Sequence, residues 1–381
     1  MTSTVAEPIV QTDLASWLEV VDEIGPRFAE RAAERDASDE FVADHYPILK
    51  ERGLISALVP NDLGGGGASY STMAAVLRRL AYHDASTALA LSMHQHLVAA
   101  QVFNHLNGRP APLLPRVAND KIVLVSTGAR DWMESNGTVE RVDGGYLVSA
   151  RKAFASGSPA GAVAVTSAPY DHPQEGPQVL HFGVPLSAEG VSLEDDWYVH
   201  GMRATGSRTI IFDKVFVPEA TISLTRPRGG FAPIFQTVLA VAMPFITGVY
   251  VGVAERAAEI GLDLARKRAS DPTVQFSVGE MLSALKIAQT CHDTMVARAN
   301  NFEFTPGMAN SNEVLMLKTH AVEQAKRTVQ CAMEASGGAG FYRQNGLERL
   351  LRDVQAGHYH PLPEKQQMLL SGRLGLGLDP L

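Results

Sequence analysis

Gly201-Met202-Arg203-Ala204-Thr205-Gly206-Ser207, leading into Thr209-Ile210-Ile211-Phe212 and Asp213-Lys214-Val215-Phe216-Val217-Pro218, is the stretch on which the reading of the fold turns. Its second half is short, β-branched and aromatic, and it stops at a proline, as a strand does. Comparable runs stand outward from it at Ile122-Val123-Leu124-Val125-Ser126, Tyr146-Leu147-Val148-Ser149 and Ala162-Val163-Ala164-Val165-Thr166. Turn residues such as Asp143-Gly144-Gly145 separate them. Short strands without intervening helices predict a compact antiparallel barrel or sandwich over residues 119–224.

The period changes on both sides. From about Leu14 to Leu114 the apolar residues recur at helical intervals, as in Phe41, Ile48 and Leu49 and then Met73, Val76, Leu77 and Leu80. Breaks at Pro60-Asn61-Asp62, the run Gly64 to Gly67, and Gly108-Arg109-Pro110 make residues 1–118 a helical domain with a loop over the glycines. Beyond Gly229, long helical segments run through Val238–Arg268, Gly279–Asn301 and Glu313–Ser336. Gly337-Gly338-Ala339-Gly340 stops the third, and a shorter helix covers Leu347–Val354. Helices of that length need partners, so residues 225–381 are expected to form a four-helix bundle and the chain to oligomerise. The fold class is α+β, mostly α.

Composition narrows the function. In 381 residues, 33 Lys and Arg against 41 Asp and Glu give a net charge of −8. A pI near 5.8 without a basic block argues against nucleic acid as a partner. Cys291 and Cys331 cannot build a disulfide framework and suit a reducing cytoplasm. The N-terminus lacks the basic patch and apolar run of a signal peptide. Phe231–Ala254 is uncharged and long enough to span a bilayer, but Pro233, Pro244, Thr247, Gly248 and Gly252 within it favour a buried bundle helix, so no membrane is expected.

There is no phosphate-loop motif, no G-x-G-x-x-G opening a helix after a strand, and no G-x-S-x-G elbow. His94-x-His96 and His358-x-His360 do not build a metal site, because helical residues two apart face different ways and no cysteine or carboxylate cluster completes either set. Lys152-Ala153-Phe154-Ala155-Ser156-Gly157-Ser158 offers small hydroxyls and a glycine, which let a flat ligand approach the backbone.

Read whole, Gly201–Pro218 carries "G-x-R-x-S/T-x-S…F-x-x-V-x-V-P" and resembles the middle domain of the acyl-CoA dehydrogenase superfamily. Phe41–Gly66 is similar to the family's "G-L-x-x-x-x-V-P-x-x-x-G-G" region, and Met333–Asp353 to its "A-x-Q-x-x-G-G-x-G-F…R-L-x-R-D" segment. The resemblance covers nearly the whole chain. It implies an N-terminal helical domain, a middle antiparallel β-barrel and a C-terminal four-helix bundle, assembled as a homotetramer, with a dimer as the alternative. It also implies a flavin, FAD or alternatively FMN. By position, Val125, Ser126 and Thr127 match the strand that contacts the flavin pyrimidine, and Phe154 and Ser156 the pair beside the ring and its N5. Arg266, or nearby Arg268, matches the arginine that reaches a neighbouring subunit's cofactor pyrophosphate. Glu334, where the family often has glutamine, and Gly337 and Gly338 match the turn that approaches the dinucleotide. Such groups suit a flavin: donors stabilise the reduced ring, and an arginine pairs with pyrophosphate.

The chain departs from the dehydrogenases at the base. Their glutamate stands in "Y-E-G-T", and here His358-Tyr359-His360-Pro361-Leu362-Pro363-Glu364-Lys365 puts His360 or Pro361 there. The second place for that glutamate falls near Val238, and Phe231–Ala254 holds no carboxylate; Glu364 lies beyond two prolines. The departures resemble the superfamily's flavin monooxygenases, such as dibenzothiophene and related N- or S-oxygenating enzymes. By that resemblance His360, His94 and Ser156 are the catalytic candidates, with a flavin reductase as partner and a small molecule as substrate. The alternative is an acyl-CoA dehydrogenase with His360 or a relocated carboxylate as base, an acyl thioester as substrate and an electron-transfer flavoprotein as acceptor. A non-catalytic scaffold is the third reading, and Thr127, Ser156 and Arg266 stand against it.

Overall fold

The chain is described here from a computed structural model over residues 12–127 and 133–380; the residues on which the signal-peptide reading rests lie outside that range. It opens with helices α1 (Thr12–Glu30), α2 (Ala32–Ser38), α3 (His45–Glu51), α4 (Tyr70–His83), α5 (Ala85–Leu106) and α6 (Leu114–Asp120). Strands follow: β1 (Leu124–Ser126), β2 (Thr138–Val142), β3 (Gly145–Ala155), β4 (Val163–His172), β5 (Gly176–Pro185), β6 (Val191–Leu193), β7 (Arg208–Pro218) and β8 (Ile222–Pro227). The chain closes with α7 (Ile234–Ala265), α8 (Pro272–Ala299), α9 (Met308–Ser336), α10 (Leu347–Asp353) and α11 (Glu364–Gly375).

The helices begin where side chains satisfy free backbone N–H groups. Ser69 caps α4 by accepting from the Thr72 amide, and Asp84 caps α5 by accepting from the Thr87 amide. In the same way Asp271 accepts from the Thr273 amide at the start of α8, where Pro272 takes the first helical position.

Helix α7 explains the bundle. It is apolar on nearly every side, and α4, α5, α8 and α9 all pack against it. A helix without a polar face has to be surrounded, and the most apolar window of α7 is 94% buried. The membrane-length stretch is therefore the central helix of the protein's core. Gly252 lets α4 cross close by, since a Cβ there would stand 2.2 Å from the Arg78 carbonyl oxygen. Helices α8 and α9 pack on α7 and on each other, and α11 lies against α9.

The middle region corrects one expectation. It is two four-stranded sheets, ordered β1-β4-β5-β8 and β2-β3-β7-β6, and not one closed antiparallel barrel. Val148, Ile210, Phe212 and Val217 of one sheet share a buried cluster with Val125, Ala164, Leu180 and Phe182 of the other. Moreover, β1 runs parallel to β4, with Leu124 opposite Val163 and Ser126 opposite Val165. The reason is connectivity: β1 comes out of α6 and is far from β4 in sequence, so no hairpin forces an antiparallel pair.

Candidate active site

The quoted turn and the Phe154–Ser158 segment lock together. Strand β3 slips register against β7 between Lys152 and Ala155, a bulge that holds Phe154 at φ +62°. Left-handed backbone at a bulky residue costs about 1–3 kcal/mol and persists only where its surroundings impose it. Here it re-aims the ring outward: Phe154 is 47% exposed, and the edge of Trp197 stands 6.0 Å away. Just beyond, the Gly157 amide donates to the Thr205 carbonyl at 2.9 Å, and the Ser158 hydroxyl to the Gly206 carbonyl at 3.2 Å.

The buried Ser156 hydroxyl contacts Ser207 Oγ at 2.7 Å, Ser207 Oγ contacts Thr205 Oγ1 at 2.7 Å, and Thr205 Oγ1 donates to the Met202 carbonyl at 2.9 Å. The Met202 amide donates to Asp353 Oδ1 at 2.5 Å, which ties the turn to α10. Burial raises the Asp353 carboxyl to about 6. At the end of β1, Val125 is buried in the sheet core, while the Thr127 hydroxyl donates to Thr166 Oγ1 at 2.7 Å and Ser126 is half-buried beside it.

His360 lies between α10 and α11. Its Nε2 contacts the Tyr250 hydroxyl of α7 at 2.6 Å, and the buried Lys318 of α9 donates to the His360 carbonyl at 2.8 Å and the Leu362 carbonyl at 3.1 Å. Burial pushes Lys318 down to about 8. Burial first, then the Lys318 charge and His96, push His360 down to about 3, so its ring is neutral. Tyr250 has no other partner among the described residues, so donation to Nε2 is the arrangement that satisfies its hydroxyl, and it assigns the His360 proton to Nδ1.

The structure engages both ring nitrogens of His94 inside the protein and places His96, its neighbour on α5, beside His360. Leu124 N–H donates to His94 Nδ1 at 2.9 Å, and His94 Nε2–H donates to the Ile55 carbonyl at 2.8 Å. Both ring nitrogens are used inside the protein, and burial lowers the ring to about 4, so it stays neutral. His94 is a brace between α5, the 54–55 segment and β1. By contrast His96 lies near enough to His360 to oppose a charge on it. Its Nδ1 donates to the Ser92 carbonyl at 3.3 Å, which leaves Nε2 as a lone pair without a protein partner among the described residues. His94→Leu should therefore lower stability by about 2 kcal/mol, because it strands a buried amide. Chemical denaturation measures this, and turnover per folded molecule should be kept.

The residues matched to the dinucleotide-binding turn form a separate group around Gly337, packed on α7, α9 and α10. Gly337 ends α9 at φ +58°, and a Cβ there would meet Arg268 Nη2 at 2.8 Å. Arg268 donates to the Ala335 carbonyl at 2.7 Å and has no carboxylate partner among the described residues. Arg266 instead pairs with Asp263 at 2.6 Å and is exposed, so the structure brings Arg268 to the turn and leaves Arg266 outside it. Around Gly338 a Cβ would meet nothing within 4 Å. Glu334 accepts from Gln330 at 3.1 Å and faces Arg327 at 3.4 Å, beside the glycine turn but engaged with its own helix. Glu364, the relocated-carboxylate candidate, pairs with Lys365 at 3.1 Å and groups with His358 and Glu323, apart from His360's ring.

These residues fit a flavin: an outward aromatic, hydroxyls at strand ends, and an arginine that makes no salt bridge among the described residues beside an open glycine turn. A separate cavity of about 720 Å3, lined by Arg35, Asp36, Arg203, Arg352 and Asp353 among others, includes none of Ser156, His96 or His360. Sequence reasoning missed His96, Tyr250, Lys318, Thr205 and Ser207 as site groups. The hydroxyl spacing in the quoted turn was the one signal available.

The fold and the residues along its cleft define a flavin-dependent oxidoreductase. Comparison with known proteins agrees: residues 19–109 match the acyl-CoA dehydrogenase N-terminal domain, and residues 245–363 the acyl-CoA dehydrogenase C-terminal domain. The chain belongs to the acyl-CoA dehydrogenase superfamily. It is 28% identical over 360 residues to the amino sugar nitrososynthase RubN8 of Streptomyces rubradiris, covering 90% of this chain and 85% of that one. It is 26% identical to the mitochondrial short-chain specific acyl-CoA dehydrogenase of Bos taurus, over 90% of this chain and 85% of that one. Among solved structures it superposes on KijD3 in complex with FMN and dTDP-3-amino-2,3,6-trideoxy-4-keto-3-methyl-D-glucose, with a TM-score of 0.87 and 26% identity, covering 97% and 95% of the two chains.

Proposed function

We propose that the chain is a flavin monooxygenase in which reduced flavin from a separate reductase lies along Phe154 and Ser156, with the substrate between it and the His96–His360 pair. One observation carries the reading: His360, which with Pro361 stands where the resemblance puts a dehydrogenase's glutamate, is a buried imidazole bonded to Tyr250 whose conjugate acid forms only at about 3. A group that holds a proton so weakly is a poor acceptor for the α-proton of a thioester, because a general base works best with a pKa near the operating pH. It is suited to hydrogen bonding without charge. When bound and reduced, the flavin supplies the electrons for oxygen activation.

The protein side of the chemistry follows from the proton positions. His360 Nδ1–H donates and His96 Nε2 accepts, so the pair can hold a substrate amine by one lone pair and one N–H. Tyr250 keeps the His360 proton on Nδ1, and Lys318 fixes the backbone that carries the ring. An amine-bearing sugar nucleotide, the class bound in the KijD3 structure, fits this arrangement. Arg268 and the Gly337-Gly338 turn are the proposed holders of the flavin phosphate. A cytoplasmic homotetramer completes the reading, supported by exposed apolar residues of α8 such as Phe276 and Ile287.

Two experiments with the flavin-loaded protein test it. Under anaerobic conditions a panel of acyl-CoA thioesters should leave the oxidised flavin unbleached. With a flavin reductase, isotopically labelled oxygen and nucleotide-linked amino sugars, label should enter the product. Bleaching by any acyl-CoA overturns the proposal in favour of the dehydrogenase.

A further inference from the structure

The three hydroxyls behind the flavin cleft have their protons ordered by the fold. Three contacts join them: Thr205 Oγ1 to the Met202 carbonyl at 2.9 Å, Ser207 Oγ to Thr205 Oγ1 at 2.7 Å, and Ser156 Oγ to Ser207 Oγ at 2.7 Å. Each contact between two oxygens needs one proton, and the row has three protons for three contacts. A carbonyl has none to give, so Thr205 must donate to Met202. Ser207 must then donate to Thr205, and Ser156 to Ser207. Thr205 and Ser207 are buried behind Ser156, so their two protons stay within the row.

We infer that Thr205 and Ser207 are positioning residues that hold the Ser156 hydroxyl as an acceptor towards the cleft, so that the site selects the flavin form bearing a proton on N5, the reduced form, over the oxidised one. This rests on the placement of the flavin ring beside Ser156. The chemistry is complementary in one redox state only. Reduced flavin offers N5–H to the Ser156 lone pair, whereas oxidised flavin presents a lone pair of its own, and two acceptors facing each other gain nothing. A free hydroxyl would rotate and serve both states equally. Such a site takes up reduced flavin from a donor protein and releases it once oxidised.

The test is an anaerobic binding titration of the full-length protein, freed of flavin, with oxidised FMN and with dithionite-reduced FMN. The wild type should bind the reduced form about tenfold more tightly or better, as expected for one hydrogen bond present in one state and absent in the other. Ser207→Ala frees the Ser156 proton, so it should strengthen oxidised FMN binding and bring the ratio to within about threefold. Ser207→Thr restores the acceptor and should restore the ratio. Thr205→Ala breaks the row one link earlier and should act like Ser207→Ala, which gives a second variant if the first does not fold. A ratio unchanged in both alanine variants, with Ser156→Ala still weakening binding, overturns the proton order alone. If Ser156→Ala changes neither affinity, the ring is not beside Ser156, and the placement falls together with the inference.

Discussion

Acidification should unfold this protein cooperatively at about pH 5 to 5.5, well above the range in which its carboxylates titrate. Burial holds His45, His94, His96 and His181 at about 4, and burial with Lys318 holds His360 at about 3, against an ordinary value of 6.5. The sign follows from proton counting. Between the folded and unfolded values the unfolded chain binds five protons that the folded chain refuses, so stability is complete above the ordinary value and falls as the pH drops. Each ring costs about 1.4 kcal/mol per pH unit, or roughly 7 kcal/mol for all five at about pH 5.5. That is comparable to the whole stability of a typical domain, about 5–15 kcal/mol. Asp353 works the other way: its folded value of about 6 exceeds the ordinary 3.8. By the same linkage it returns only about 1 kcal/mol at about pH 5.5. Circular dichroism and denaturant midpoints across this window check the expectation, and a flat stability profile down to about pH 5 would contradict it.

His360→Ala should lower turnover by about 100- to 1000-fold, the range expected when a positioned proton-transfer or hydrogen-bonding group is lost, with flavin affinity nearly unchanged. The affinity is spared because the ring's protein partner is Tyr250 and not one of the residues proposed to hold the flavin. His96→Ala should produce a loss of similar size. Tyr250→Phe removes only the donor that keeps the His360 proton on Nδ1, so about a tenfold loss is expected. Because both rings are neutral, turnover should show no acid limb near 6.5, where a free histidine would titrate. Steady-state kinetics with the native reductase, beside flavin binding isotherms, separates these effects. An equal fall in flavin affinity and turnover in His360→Ala would assign the residue a structural role.

The long helices were legible because their period is long and their apolar content high; α7, α8 and α9 end within three residues of the expected segments but start four to seven residues earlier. Strands β2 and β8 were not, since each is short, carries charge and is partly exposed, and β5 is bracketed by glycine and proline. Whether the strands close into a barrel depends on contacts between residues far apart, which local pattern does not encode. At the site, Phe154 and Ser156 stood out by motif. The choice between His94 and His96 could not be made, because every residue from Ala85 to His96 is buried and α5 offers no polar face to show where the cleft lies. Likewise, which of Arg266 and Arg268 meets α9 depends on the short turn after α7, and Lys318 reads in sequence as an ordinary surface lysine until its carbonyl partners are seen.

The brace made by His94 and the bond from Asp353 to Met202 sit at the two seams of the chain, one between the first helices and the sheets, the other between the sheets and the last helices. Both links are buried, so a seam opens only by breaking an interior hydrogen bond together with the packing around it. Heat should therefore not peel the protein apart region by region. The residues proposed to hold the flavin, which come from all three stretches, should keep their arrangement until the whole chain melts in one transition.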